Sequence, residues 1–139
     1  LGYSDMTFSS EIARNQAEKL HKELDPELDI FTPTFETFSG DQEIAKGLWL
    51  FETPGHTAGH YSMMVELSNR RPILFTADAC YSQKNMDMMC ITSFHLDPVA
   101  SLNSMKRLQE LAKKHDAELL YSHDPDSFPD YIKAPGYYS

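Results

Sequence analysis

The spacing of apolar residues divides the chain into a helical first segment and a strand-rich remainder. From Ser9 to Leu24, apolar residues recur every three or four positions, which predicts an amphipathic helix. Ser9 or Ser10 can cap the start of this helix, and Pro26 ends the helical pattern. Residues 28–37 are predicted to be a loop or a short extended piece.

Short apolar or alternating segments dominate the rest of the chain and predict β-strands. In chain order, these segments are 35–38, 48–53, 61–67, 73–77 and 118–122. Gly40, Asp41 and Gly47 lie between the first two and favour turns, so these two strands are expected to form a hairpin. The run 73–77 is apolar throughout, as in a strand that is buried on both faces.

A second amphipathic helix is predicted between the last two strands. Asp97 followed by Pro98 is typical of a helix start, and an apolar stripe continues from there to about His115. The resulting order of helix, hairpin, two strands, helix and strand predicts a layered α/β fold.

Composition excludes some partners and suggests a cellular location. The chain has a net charge of −9, which argues against nucleic acid because phosphate binding requires a basic surface. It contains neither a membrane-length apolar run nor a secretory pattern at its start. We therefore expect no membrane partner, a cytoplasmic location, and free thiols at Cys80 and Cys90. Because the chain begins at Leu1 and not at Met, we expect that it was cut or trimmed from a longer product.

Three residues with metal-binding side chains each follow a predicted strand. His56, Asp78 and His123 come after the second, fourth and fifth of these strands. If the strands belong to one sheet, the three side chains meet at one edge of it. Each alone is typical of a hydrogen-bonded histidine or a turn aspartate. Together they favour a metal site, because imidazole and carboxylate are ligands that zinc prefers.

The segments around these three residues resemble motifs of the metallo-β-lactamase-fold hydrolases. The matching segments are 53–60 (Thr-Pro-Gly-His-Thr-Ala-Gly-His), 75–78 (Phe-Thr-Ala-Asp) and 121–124 (Tyr-Ser-His-Asp). The resemblance extends from about Leu48 to His123. It implies that the chain is the C-terminal half of a metallo-β-lactamase-type αββα sandwich and helps to bind two Zn²⁺ ions.

Further residues resemble the lactonase branch of this family. Tyr81 follows Asp78 by three positions, as in the N-acyl-homoserine lactonases. Resemblance to the 4-pyridoxolactonases comes from segments 1–5, 60–62, 72–76 and 94–100. The implied activity is opening of a lactone-type ring, either a cyclic ester or a related cyclic amide, by attack of a metal-bound hydroxide.

The resemblance also implies a role for each matching residue. His56 would bind the first zinc ion, Asp78 would bridge the two, and His123 would bind the second. Tyr81 would act in catalysis beside Asp78, donating its hydroxyl to the substrate carbonyl or to the leaving oxygen. His60 would be structural.

Three more residues are predicted to contact a substrate. Met86, Phe94 and His95 lie between the tyrosine and the second helix, where they can line a pocket for a small lactone-like molecule. For Met86 and its neighbours Met88 and Met89, the sequence equally allows an anchor buried in the fold.

One hallmark of the family, the His-x-His-x-Asp-His string, does not occur in the 139 residues. We therefore expect the N-terminal half of the same fold on a separate chain, produced by cleavage of one precursor or encoded separately. Half a sandwich would otherwise expose an apolar sheet face. In this interpretation residues 1–139 are one portion of a single domain. Residues 1–47 form a helix and connecting loops, and residues 48–139 form the metal-ligand strands and the C-terminal helix.

The sequence leaves three alternatives to this function. The first is an acyl-homoserine lactonase in particular. The second is a thioesterase similar to glyoxalase II on the same fold. The third is a non-catalytic structural half-subunit.

Overall fold

A five-stranded mixed sheet forms the centre of the fold. The structure is a computed structural model and describes residues 38–139, so the helix predicted at 9–24 lies outside the described residues. The strands are β1 (Gln42–Ala45), β2 (Leu48–Glu52), β3 (Tyr61–Val65), β4 (Ile73–Phe75) and β5 (Glu118–Leu120). They lie side by side in chain order.

The pairing between neighbouring strands changes from antiparallel to parallel once across this sheet. Each of the first four strands runs antiparallel to its neighbour, whereas β5 runs parallel to β4. A parallel pair needs a long crossover connection, which here contains helices α1 (Gln83–Met88) and α2 (Pro98–His115). The C-terminal ends of β4 and β5 therefore lie at the same edge of the sheet.

Helix α2 begins and ends as its sequence predicts. One carboxylate oxygen of Asp97 accepts hydrogen bonds from the backbone N–H groups of Val99 and Ala100, at 3.0 and 2.9 Å. At the other end, Asp116 adopts a left-handed φ of 50° and its N–H caps the last turn. The helix start predicted at Asp97-Pro98 is confirmed.

The two faces of the sheet differ in how well they are covered. On one face, Met64 and Leu74 pack with Met105 and Leu108 of α2, and all four are completely buried. On the other face, a row of apolar residues in register crosses four strands and is only partly buried. This cross-strand row consists of Leu50, Met63, Phe75 and Leu120.

The first strand of the described residues was not predicted. The strand expected at 35–38 lies, apart from Phe38, outside the described residues and stays a prediction. β1 occupies Gln42–Ala45, and every residue in it is exposed. Its position is fixed by the tight turn at Gly47, which has a φ of +75° and donates its N–H to a carboxylate oxygen of Glu43 at 2.8 Å. An exposed edge strand leaves no apolar alternation in the sequence, so the apolar pattern could not locate it.

All four strands predicted from residue 48 onwards are one or two residues shorter than expected, and one α-helix was not predicted. β4 ends at Phe75 and β5 at Leu120, where the chain turns towards the edge of the sheet. Helix α1 begins at Ser82, whose hydroxyl accepts a hydrogen bond from the N–H of Asn85. Six residues are too few to show helical periodicity.

Both cysteines are free thiols. Cys80 is 2% exposed, and this burial raises the pKa of its thiol to about 12, so the thiol stays protonated and unreactive. Within residues 38–139, no helix is both long enough and apolar enough to cross a bilayer.

Replacing the N-cap of α2 tests how much this helix start contributes to stability. Asp97→Ala removes the acceptor for two backbone N–H groups and is expected to lower the free energy of unfolding by about 1 kcal/mol. Glu110→Ala, an exposed change on the same helix, is the control and should stay within about 0.5 kcal/mol of the parent. Urea denaturation measures both, and equal losses in the two variants would contradict the capping role.

Candidate metal centre

The three metal-binding residues meet at one edge of the sheet. One carboxylate oxygen of Asp78 lies 3.7 Å from Nε2 of His56, and the other lies 3.1 Å from Nε2 of His123. Each oxygen of the carboxylate therefore faces a different imidazole. The side chains are accessible, with 20% of His56, 32% of Asp78 and 56% of His123 exposed.

Pairing between β4 and β5 brings the last two of these residues together. Asp78 follows β4 and His123 follows β5, and the loops that carry them are joined by direct hydrogen bonds. The N–H of His123 donates to the carbonyl of Tyr81 at 3.1 Å, and the hydroxyl of Ser122 donates to the carbonyl of Ala77 at 3.0 Å. The two loops are thus held to each other as well as to the sheet.

The loop that carries His56 is held against the start of α2. The N–H of Asp97 donates to the carbonyl of Gly55 at 2.9 Å, and the N–H of Leu96 donates to that of His56 at 3.3 Å. Gly55 has a φ of +134°, and a Cβ at this position would overlap Ser101. Only glycine allows the loop to approach the helix this closely.

Asp78 follows a strained residue. Ala77 adopts a φ of +47°, a left-handed conformation that costs a residue with a Cβ about 1–2 kcal/mol. Strain of this kind persists only where the surroundings enforce it, and it is concentrated at functional sites. His60 is one of the residues that hold this segment in place. Its buried Nε2 accepts a hydrogen bond from the N–H of Asp78 at 3.1 Å.

Two further side chains surround the metal-binding residues. The ring centroid of Tyr81 lies 4.5 Å from that of His123, and the ring centroid of His95 lies 5.2 Å from that of His56. The rings of Tyr81 and His95 are 6.0 Å apart. Partial burial lowers the pKa of His95, and the nearby His56 and His60 lower it further, so its imidazole is neutral at neutral pH.

A hydroxyl on α2 fixes which nitrogen of His95 carries the proton. The hydroxyl of Ser101 donates to the carbonyl of Asp97 at 2.8 Å, so its oxygen can only accept from Nδ1 of His95, also at 2.8 Å. Nδ1 is therefore protonated in the neutral ring, and Nε2 is left as an acceptor.

Curated relatives of the chain are lactonases. The chain is 38% identical over 87 residues to the N-acyl homoserine lactonase AttM of Rhizobium radiobacter, which corresponds to 63% of the chain and 33% of the relative. It is 32% identical over 128 residues to an N-acyl homoserine lactonase of a Bacillus species, covering 88% of the chain and 49% of the relative. No protein-family model matches the chain.

Solved structures of lactonases share its fold. An N-acyl homoserine lactone hydrolase, with the product N-hexanoyl-L-homoserine bound at its catalytic metal centre, matches 79% of the chain and 43% of its own length. The TM-score is 0.72 and the identity is 30%. The chain is a homologue of the N-acyl homoserine lactonases.

This lactonase homologue has the metallo-β-lactamase fold, of which it contains only a part. Hydrolase AbOPH of the β-lactamase superfamily, at 20% identity and a TM-score of 0.58, also shares the fold. The chain spans about a third to a half of the length of the curated relatives it matches. The predicted fold class is confirmed, whereas its completion by a second chain stays a prediction.

Not all of the other predicted site residues of this chain lie beside the three metal-binding residues. Met86 is 2% exposed and packs in the core, which corresponds to the buried anchor that the sequence allowed. Phe94 is 75% exposed, next to His95 in the chain. The structure thus brings Tyr81 and His95 to the three metal-binding residues, and it places Met86 beneath the surface.

The donor atoms of this chain suit zinc, although they are too few to complete its coordination. His56, Asp78 and His123 provide two imidazoles and a carboxylate, and Nδ1 of His56 is buried with no hydrogen-bond partner within residues 38–139. In the described part of the chain, no group of three or more His, Cys, Asp or Glu side chains is spaced to hold a metal ion. Zinc needs at least four ligands, so this set requires ligands from elsewhere.

Two further residues support the site, and sequence reasoning missed one of them, Ser101. Ser101 orients His95, and Asp124 accepts a hydrogen bond from the N–H of Gln83 at 3.0 Å, which joins the start of α1 to the loop after β5. This bond is the main cause of the lowered pKa of Asp124. Serine in a first helical turn is common in any protein, so no signal in the sequence distinguished Ser101.

A change at Gly55 tests the close approach between the His56 loop and α2. Gly55→Ala should lower the free energy of unfolding by about 1–3 kcal/mol more than Gly40→Ala, because its new methyl group would overlap the helix. Gly40 also has a positive φ, but open space surrounds its Cβ position, so that variant controls for backbone strain. Equal losses on urea denaturation would show that the approach is unimportant.

Proposed function

We propose that this chain contributes three ligands to the metal centre of a zinc-dependent hydrolase that opens lactone-type rings. The observation that supports this most directly is the carboxylate of Asp78, which directs one oxygen towards His56 and the other towards His123. A carboxylate between two imidazoles is suited to bridge two metal ions, each of which would also bind one histidine. His56 would bind the first zinc ion and His123 the second.

Zinc would supply Lewis acidity and lower the pKa of a bound water to about 7. The residues of this chain would provide the remaining chemistry. The hydroxyl of Tyr81 makes no hydrogen bond within the described residues, so it is available to donate to the lactone carbonyl as negative charge develops on its oxygen. Nε2 of His95 is an acceptor for a donor group on the substrate.

We propose that the missing ligands come from the N-terminal half of the same fold on a separate polypeptide. The cross-strand row of Leu50, Met63, Phe75 and Leu120 supports this proposal, because it leaves an apolar sheet face partly exposed in the described residues. The incomplete donor set supports it independently. The two polypeptides would arise by cleavage of one precursor or from separate genes.

Two classes of lactone are candidate substrates. The relatives named above act on N-acyl homoserine lactones, which makes that class the first to assay. A small heteroaromatic lactone is the second, since His95 and Tyr81 offer a few polar contacts close together and suit a compact polar ring. Comparison of kcat/KM for both classes on the assembled protein distinguishes them.

Metal analysis of the assembled protein tests the ligand assignment. The parent should contain about two zinc ions per assembly, and His56→Ala, Asp78→Ala and His123→Ala should each lose zinc and lactonase activity. Glu110→Ala, far from these ligands in sequence and exposed on α2, should lose neither. Intact-mass analysis under denaturing conditions should reveal a second polypeptide. The assignment fails if the parent contains well under one zinc ion, or if His56→Ala changes neither zinc content nor turnover.

A conservative change at Tyr81 tests its role in the reaction. Tyr81→Phe removes only the hydroxyl, and we expect kcat for lactone opening to fall roughly 10²–10³-fold with unchanged zinc content. Comparison with a thioester substrate separates a lactonase from a thioesterase. Unchanged lactone turnover in this variant would show that the hydroxyl does not take part.

A further inference from the structure

Four buried polar side chains lie directly beneath Asp78. They come from three segments of the chain, and each is at most 2% exposed: Thr53, His60, Ser62 and Thr76. Buried polar groups of this kind need hydrogen-bond partners. Three of them form a chain of bonds that begins at the carbonyl of Thr76 and ends at the backbone N–H of Asp78.

The chemistry of the groups determines which atom donates in every hydrogen bond of this series. A carbonyl only accepts, so the hydroxyl of Ser62 donates to the carbonyl of Thr76 at 3.1 Å. The single hydroxyl hydrogen of Ser62 is then in use, so the hydroxyl of Thr53 donates to Ser62 at 2.9 Å. The oxygen of the Thr53 hydroxyl is left to accept.

The same reasoning fixes the tautomer of His60. Its Nδ1 lies 2.9 Å from the Thr53 hydroxyl oxygen and 3.0 Å from the Thr53 carbonyl, and both can only accept from it. Nδ1 therefore carries the hydrogen. Nε2 accepts from the N–H of Asp78 at 3.1 Å, which requires an unprotonated nitrogen and hence a neutral ring.

The two ends of this series of hydrogen bonds lie on either side of a strained residue. Thr76 and Asp78 flank Ala77, whose φ is +47°. The hydrogen bonds therefore hold the carbonyl before Ala77 and the N–H after it. The ring of His60 also lies edge-on to that of His56, with centroids 6.0 Å apart, so His60 is adjacent to two of the three metal-binding residues.

We infer that His60 is a positioning residue for the metal centre, holding the backbone of Asp78 as a hydrogen-bond acceptor in its Nδ1–H tautomer. Without this acceptor, the N–H of Asp78 would lose its buried partner and Ala77 would relax from its left-handed conformation. The carboxylate would then no longer direct one oxygen to each imidazole. The inference rests on the proposed function only in taking Asp78 as a metal ligand.

Two substitutions at His60 separate positioning from simple core packing. In His60→Gln, the longer side chain can place an amide oxygen near the position of Nε2 and accept from Asp78. In His60→Asn, the shorter side chain can replace only Nδ1, which preserves the bond to Thr53 and leaves the N–H of Asp78 unpaired. Both variants remove the ring and its packing, so a difference between them reports on the bond to Asp78.

Zinc affinity and hydrogen exchange are measured for both variants in the assembled protein. By chelator competition, His60→Asn should bind zinc roughly 10–100-fold more weakly than the parent, and His60→Gln should lie closer to the parent. The amide of Asp78 should exchange faster in His60→Asn than in His60→Gln. Glu110→Ala, an exposed change on α2 that lies outside these hydrogen bonds, should leave both quantities unchanged. Equal effects of the two His60 variants would overturn the inference.

A measurement on the unmodified protein does not depend on metal, activity or a folded variant. Nitrogen-15 NMR of the His60 ring in the metal-free protein should show hydrogen on Nδ1 and an unprotonated Nε2. A ring protonated at Nε2 would overturn the inference, whatever the zinc content. Absence of zinc binding in the parent, together with the expected tautomer, would instead overturn the proposed function and leave the bond between His60 and Asp78 established.

Discussion

The parallel pairing of β4 with β5 is the constraint on which the rest of the site depends. Antiparallel neighbours would direct their C-terminal ends to opposite edges of the sheet, and Asp78 and His123 would then lie far apart. The parallel pair requires a long crossover, and that crossover supplies Tyr81, His95 and helix α2. The direction of β5 thus brings Asp78 and His123 together, and the crossover that it requires supplies the residues beside them.

Geometry at the edge of the sheet is maintained against local backbone preference. Ala77 is strained, and Gly55 lies too close to α2 for any side chain. Both positions are next to a metal-binding residue, and both are held by hydrogen bonds to buried or helical groups. The strain therefore accompanies the placing of the metal-binding side chains at fixed positions, and the hydrogen bonds of the buried polar side chains offset it.

The sequence predicted those parts of the structure that leave a periodic or local chemical signal. The start of α2 follows from Asp97 and Pro98, and the convergence of the metal-binding residues follows from their positions after strands. β1 could not be located, because an exposed edge strand has no apolar alternation. The hydrogen bonds of His60 could not be predicted either. They depend on the burial of Thr53, Ser62 and Thr76, which only the folded sheet reveals.

The two imidazoles give the site one sheltered side and one open side. His56 is 20% exposed and belongs to a loop that is hydrogen-bonded to the start of α2, whereas His123 is 56% exposed beside the ring of Tyr81. Within the described residues, solvent therefore reaches the site mainly past His123. Of the three metal-binding side chains, the imidazole of His123 is the one that water contacts most.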